Sequence, residues 1–167
     1  MDDPVLRRRS IRKYTAEPVS DEHVERLLRA AMAAPSAGNQ QPWQFIVIRD
    51  RDVLAAIPDV HPYASMAPKA QLAILVCGDR GKERWPQYWE QDCAAATENL
   101  LIAATQLGLG AVWLGVHPLE ERADGMRALL CIPRAITPFS LVPIGWPAEH
   151  KEPSDRYEPD RVHLDRW

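Results

Sequence analysis

The chain has 167 residues, 46% hydrophobic and 26% charged, with a formal net charge of −3, the balance of an ordinary globular protein long enough for one real core. That charge argues against a general nucleic-acid binder. Cys77, Cys93 and Cys131 are odd in number and form no CxxC pair, which argues against a disulfide framework and a zinc site.

Each cysteine lies in an apolar run, so buried thiols are expected. The five histidines show no metal-ligand spacing, so no metal is expected. The longest apolar stretch, Leu100 to Val116, is broken by Thr105, Gln106, Gly108 and Gly110; a membrane span needs about 20 uninterrupted apolar residues. Met1-Asp2-Asp3-Pro4 lacks a signal pattern, so a cytoplasmic location is expected.

In chain order, Asp3 and Pro4 start a short helix that Arg7, Arg8 and Arg9 end. Ser10 to Tyr14 reads as extended. Ser20 caps a second helix, with Val24, Leu27, Leu28, Ala31 and Met32 on one face, stopped by Pro35, Ser36 and Gly38. Phe45 to Ile48 is a buried strand, and a short helix covers Arg51 to Ile57 before Pro58. Leu72 to Cys77 is a second strand. Tyr88 to Leu107 is the longest helix, which Gly108 ends in a left-handed conformation. Ala111 to Leu114 is a third strand, Glu120 to Leu130 a helix and Ser140 to Ile144 a fourth strand. Residues 148–167 are polar but finish with Val162, Leu164 and Trp167, which suggests an arm that docks on something. Intermixed strands and helices without repeats or linkers imply a single domain over residues 1–167, of α/β or α+β class.

Four segments are candidates for chemistry. In an extended Arg8-Arg9-Ser10-Ile11-Arg12, alternate side chains share a face. Arg8, Ser10 and Arg12 then present two guanidiniums and a hydroxyl, which suit a phosphate; alone, the run also fits a solvated basic turn. The stretch Ala34 to Phe45 contains Pro35, Ser36, Ala37, Asn39, Gln41 and Trp43. Its amides can read the alternating donors and acceptors of a flavin or pterin edge, and its prolines stiffen it; it also fits a helix cap leading into a strand, with Trp43 in the core. Gly108-Leu109-Gly110 to Gly115 is not a dinucleotide fingerprint, because its glycines follow a helix and precede a strand. Gly115, at a strand end, lets a planar ligand approach the backbone. In the tail, Lys151, Arg156 and Arg161 are either scattered charge or a source of one arginine for an anionic ligand. No GxSxG elbow or P-loop occurs and no nucleophile–base pair stands out; an enzyme without its own nucleophile or metal would take its chemistry from an organic cofactor.

Taken in order, these segments resemble the nitroreductase family of flavoproteins. The resemblance runs through Arg8 to Tyr14, Ala34 to Trp43, and the helix with Asp92, Ala96, Asn99, Leu100, Ala103 and Ala104. It continues through Gly108 to Gly115, Gly145-Trp146-Pro147 and the closing Val162 to Trp167. It implies an α+β fold, a three-layer α/β/α arrangement with a mixed sheet wrapped by helices. It also implies an intertwined homodimer in which the arm, residues 148–167, packs on the partner subunit. FMN is the implied cofactor at the dimer interface, and NADPH or NADH the co-substrate. By matching position, Arg8 and Ser10, with neighbouring Arg9, hold phosphate, and Arg12 meets the pyrimidine edge near N1 and O2. Pro35, Ser36, Ala37, Asn39 and Gln41 of the other chain meet the ring. Leu114 and Gly115 supply backbone contacts, and Arg156, or less well Lys151, completes the phosphate site. The implied reaction is ping-pong: NAD(P)H gives hydride to the flavin, then a small acceptor such as a nitroaromatic or quinone takes it. Arg12 stabilises charge at the N1 edge. Flavin fragmentation, reductive dehalogenation and non-catalytic flavin binding are the alternatives. The short stretch between Asp79 and Tyr88 resembles a compact branch, in which Trp85, Tyr88 and Trp89 either wall the site or simply pack.

Overall fold

A computed structural model describes residues 3–167; Met1 and Asp2, part of the stretch read above for a signal pattern, lie outside the described residues. Five α-helices occur among the described residues: α1 (Pro4–Arg7), α2 (Asp21–Met32), α3 (Arg51–Val60), α4 (Trp89–Gln106) and α5 (Glu120–Leu130). The strands are β1 (Trp43–Ile48), β2 (Leu72–Asp79), β3 (Gly110–Ala111), β4 (Leu114–Gly115) and β5 (Ile136–Gly145). They form one sheet in the order β1-β2-β5-β3, with β4 also on β5.

The expected caps are present. The Asp3 carboxylate accepts the Val5 N–H at 2.8 Å, and the Ser20 hydroxyl accepts the His23 N–H at 3.2 Å. Gly108 takes φ +75° just after α4. On α2, Val24, Leu27 and Ala31 are buried, but Met32 is half exposed because the helix ends there and turns into the Pro35 loop.

β2 shows why the sheet is the middle layer. Its residues are buried on both faces, so it reads as a continuous apolar run. Leu72, Ile74 and Val76 pack with α2 and α4, whereas Ala73, Leu75 and Cys77 pack with α3 and α5. Helices therefore cover both sheet faces, giving the α/β/α layers. Each large aliphatic buried here contributes roughly 1.5–3 kcal/mol.

Four sequence expectations need correction. The named strand pairings are all antiparallel rather than mixed; parallel pairing is confined, among the described residues, to the Ser10–Ala111 bridge. The expected strand Ala111 to Leu114 is two short strands, in register Ala111↔Ile144 and Leu114↔Leu141. Pro143 lies between these partners and has no N–H to donate, and its carbonyl instead accepts the Tyr14 hydroxyl at 3.2 Å. α3 runs through Pro58 to Val60, because the His61 N–H still reaches the Ile57 carbonyl at 3.0 Å and Leu54 and Ile57 are buried. Cys131 is exposed, since it ends α5 in a left-handed conformation at φ +54°.

The segment after α1 lies along the sheet edge. The Ile11 N–H donates to Ala111 O at 3.0 Å, and buried Ile11 fills the space above Gly110. A Cβ at Gly110 would sit 2.5 Å from Ile11 Cγ2, so only glycine allows this approach. Beyond β5, the Ala148 N–H donates to Lys13 O, Glu149 accepts the Arg12 N–H at 2.6 Å, and Lys151 Nζ donates to Ser10 O at 2.6 Å. Residues 148–152 are thus fastened to their own chain, while 153–167 are exposed throughout.

Candidate functional site

The extended segment 8–12 connects two depressions. The first, of about 690 Å³, is lined by Arg8, Arg9, Ser154, Arg156 and Tyr157, among others. Arg8 Nε lies 3.4 Å from Glu98 of α4, which tethers the partly buried side chain. Arg9 Nε donates to Glu152 O at 2.9 Å, whereas its Nη2 is buried without a hydrogen-bond partner. A buried unpaired guanidinium nitrogen is costly, and an anion in the depression is one way to satisfy it. Arg156 is positioned by its own neighbour, with Nε donating to Ser154 Oγ at 3.2 Å.

Ser10, partly buried, sits where the segment bridges to β3. Lys151 is turned to the Ser10 carbonyl and to Glu149, at 3.6 Å, so it serves the backbone of the segment. The Arg12 and Lys13 N–H groups hold the Glu149 carboxyl below the usual carboxylate range, and Lys151 adds to this.

The second depression, of about 440 Å³, brings Arg12 together with Leu114 and Gly115, beside Tyr63, Trp113 and Arg122. Gly115 is exposed and has nothing within 4 Å of the place a Cβ would occupy. Packing within this chain therefore does not require glycine there; the free space is suited to a flat ligand against the backbone. Its carbonyl, by contrast, is firmly held. His61 Nε2 and Arg122 Nη1 each lie 2.9 Å from it. His61 is 1% exposed and its Nδ1 accepts the Tyr63 N–H at 3.3 Å, which fixes the tautomer with hydrogen on Nε2. Burial first, and then the Arg122 charge, push the His61 pKa down, although its bond to Gly115 opposes them.

The loop with Pro35, Ser36, Ala37, Asn39 and Gln41 borders neither depression. Three of its residues are left-handed: φ is +52° at Gly38, +55° at Asn39 and +48° at Gln41. Ser36 Oγ accepts the Gln41 N–H at 3.1 Å, and Asn39 Oδ1 accepts Gln41 Nε2 at 3.1 Å. Buried Asp92, in the first turn of α4, accepts the Ala37 N–H at 2.9 Å and Gln40 Nε2 at 2.6 Å. Gln40 Oε1 in turn accepts the N–H groups of Arg84 and Trp85. This seats exposed Trp85 over Gly38, where a Cβ would meet its Nε1 at 2.5 Å. Tyr88 is also exposed, but Trp89 is buried against Gly78 and Phe139 and so belongs to the core.

Sequence reasoning thus missed Asp92, Gln40, His61 and Arg122 as organisers. Asp92 lies 52 and 55 residues from Gln40 and Ala37, and His61 lies 54 from Gly115; no local pattern reports such contacts.

Comparison with known proteins fits this geometry. The sequence model described as Nitroreductase family matches residues 5–69 and 56–146. A protein of Archaeoglobus fulgidus, provisionally named NADH dehydrogenase/NAD(P)H nitroreductase, is 50% identical over 98% of this chain and 96% of its own. The crystal structure of a provisional NADH oxidase from Clostridium acetobutylicum aligns with a TM-score of 0.96 and 43% identity, covering 99% of this chain and 100% of its own. That of a provisional nitroreductase from Desulfovibrio desulfuricans, in complex with FMN, aligns with a TM-score of 0.85 and 34% identity, over 98% and 95%. The family match from residue 5 to residue 146 and relatives up to half identical over nearly the whole chain show that it belongs to the nitroreductase family.

Proposed function

We propose that this chain is an FMN-dependent oxidoreductase that takes hydride from NAD(P)H and reduces a small acceptor, a nitroaromatic or quinone, as a homodimer. The observation that carries the reading is the open backbone at Gly115, at one end of a segment whose other end is a guanidinium-lined depression with an unsatisfied Arg9 nitrogen. The donor set fits FMN: forked cations for a phosphate and a bare backbone for a flat ring.

The chemistry supplied by bound FMN is hydride acceptance from NAD(P)H and its delivery to the acceptor. This chain's residues then have separate tasks. Arg8, Arg9, Ser10 and Arg156 would hold the phosphate. Arg12 would put its cation at the pyrimidine edge and favour negative charge there. Leu114 and Gly115 would support the ring through backbone. Pro35, Ser36, Ala37, Asn39 and Gln41, which border neither depression of their own chain, would meet the ring bound by a second copy. The exposed arm, with Tyr157, Leu164 and Trp167 fully or largely solvent-accessible in the single chain, would be covered by that copy. Symmetric pairing is the commonest way to bury such a surface.

The test is an anaerobic absorbance spectrum of the purified protein before and after NADPH and then NADH. Flavin bands that bleach support the reading and name the donor. Flavin bands that persist with both would indicate another donor or a binder without turnover. No flavin bands after incubation with FMN would overturn it.

A further inference from the structure

We infer that His61 is a positioning residue that, with Arg122, fixes the edge strand β4 on which Gly115 presents its backbone. The inference rests on the flavin reading above. It starts from the ladder. The Val116 N–H bonds Phe139 O at 3.0 Å and Leu114 pairs with Leu141, so Gly115, between them, turns its N–H and C=O away from β5. The strand is only two residues long, held by these ladder contacts and by the buried side chains of Leu114 and Val116, and its outward face is an open edge. Its outward carbonyl is instead taken by His61 Nε2–H from the turn after α3 and by Arg122 from α5.

The two grips differ in kind. Arg122 is partly exposed, with its guanidinium 5.2 Å from the Tyr63 ring, and its removal would also remove a charge. His61 is buried and neutral in the tautomer described, so changing it alters position without altering charge. It also has two separable bonds: Nε2 reaches Gly115, and Nδ1 accepts the Tyr63 N–H. Glutamine places its amide nitrogen near the Nε2 position and keeps the bond to Gly115. Asparagine places its amide oxygen near Nδ1 and keeps only the bond to Tyr63. Both are polar and smaller than or close to histidine in size, which limits damage to the core.

The experiment compares the wild-type protein, His61→Gln and His61→Asn, each loaded with FMN. It measures the flavin midpoint potential and the rate constant of flavin bleaching at saturating NAD(P)H by anaerobic stopped flow. The expected result is that His61→Asn slows bleaching about tenfold, within the ~100-fold that a 1 Å misplacement can cost, and shifts the potential. His61→Gln stays within about threefold of wild type, a difference below 1 kcal/mol by the tenfold-per-1.4 relation. Circular dichroism and FMN content identify any variant that fails to fold; if His61→Asn does, Arg122→Lys and Arg122→Met repeat the comparison from the other side, read by bleaching rate. Equal bleaching rates and potentials for the two His61 variants overturn the positioning role while leaving the flavin reading intact. A wild-type protein that takes up no FMN overturns both.

Discussion

Gln40 and Asp92 are joined by a 2.6 Å hydrogen bond whose direction is set by the other end of the Gln40 amide. Because Gln40 Oε1 already accepts two backbone N–H groups, from Arg84 at 3.0 Å and Trp85 at 2.9 Å, its nitrogen must face Asp92. The second carboxylate oxygen takes the Ala37 N–H, so Asp92 meets donors on both sides.

Asp92→Asn therefore cannot satisfy the loop. Whichever way the new amide turns, one of its two partners meets a donor instead of an acceptor. Losing one charge-assisted bond at a buried site is expected to cost about 2 kcal/mol. The measurement is the urea midpoint at unchanged m value. An unchanged midpoint would mean that the loop is not held by this carboxylate. On the proposed reading, FMN affinity should fall as well, because the loop carries Asn39 and Gln41.

Two glycines of the same sheet edge should respond in opposite ways to alanine. At Gly110 a Cβ meets buried Ile11 at 2.5 Å, and the expected overpacking costs about 1–3 kcal/mol of stability. At Gly115 a Cβ meets nothing and φ is not positive, so stability should stay within about 0.5 kcal/mol. FMN affinity should nevertheless drop roughly tenfold, about 1.4 kcal/mol, if the open backbone is the ring's support. Thermal unfolding and FMN titration of both variants separate the two effects. Full FMN affinity in Gly115→Ala would remove this position from the site.

What the sequence made legible was local. Ser20, Gly108 and the bounds of α5 follow from capping and periodicity within a few residues. What it hid was set by distant partners. Pro143 divides the expected third strand from about 30 residues downstream in sequence, through the antiparallel ladder. Cys131 sits in an apolar stretch, yet the left-handed end of α5 turns it to solvent. The Arg8–Arg12 segment was readable as extended, but its place along β3 depends on Gly110 admitting Ile11. His61 resembles an ordinary buried histidine until Gly115 is seen opposite it.

The cysteines give a simple probe of this packing. Burial pushes the Cys77 thiol up to about 12 and raises Cys93 further still, so neither forms thiolate near neutrality. Cys131 is exposed. Brief iodoacetamide treatment at pH 8 should add one label per folded chain, at Cys131, and label all three in denaturant. Peptide mass spectrometry reads this. Rapid labelling of Cys77 or Cys93 in the folded protein would contradict the closed core between the helical layers.

His61 also predicts a pH dependence of stability. Its pKa in the fold is lowered from 6.5 by burial and by the Arg122 charge, the neighbouring groups being Tyr63 and the Gly115 carbonyl. The unfolded chain therefore takes up the proton first. The contribution of the neutral ring is full above pH 6.5 and is lost as pH falls from 6.5 through the lower folded value. Urea midpoints of wild type and His61→Gln, compared across this range, isolate the effect because the other groups titrate alike in both. The wild type should lose more stability on acidification than the variant. Parallel curves would mean that His61 is protonated as easily in the fold as out of it.

The arm calls for a truncation placed by the structure rather than by composition. Removing everything from Ala148 would also remove Glu149 and Lys151, which fasten the Arg8–Arg12 segment to its own chain, and would confound assembly with local unfolding. Ending the chain after Glu152 keeps those bonds and the Arg9 contact to the Glu152 carbonyl. It deletes residues 153–167, including Tyr157, Val162, Leu164 and Trp167, all largely exposed in the single chain. If a second copy covers these side chains, the truncated protein should elute and scatter light as a monomer, or as a dimer that dissociates on dilution. On the proposed reading, FMN binding should fall with it, because that reading gives Arg156 to the phosphate and the partner's loop to the ring. A truncated chain that stays dimeric at nanomolar concentration would show that the subunits are held elsewhere. Arg156→Ala in the full-length chain then separates the two losses, because it should weaken FMN binding while leaving the dimer intact.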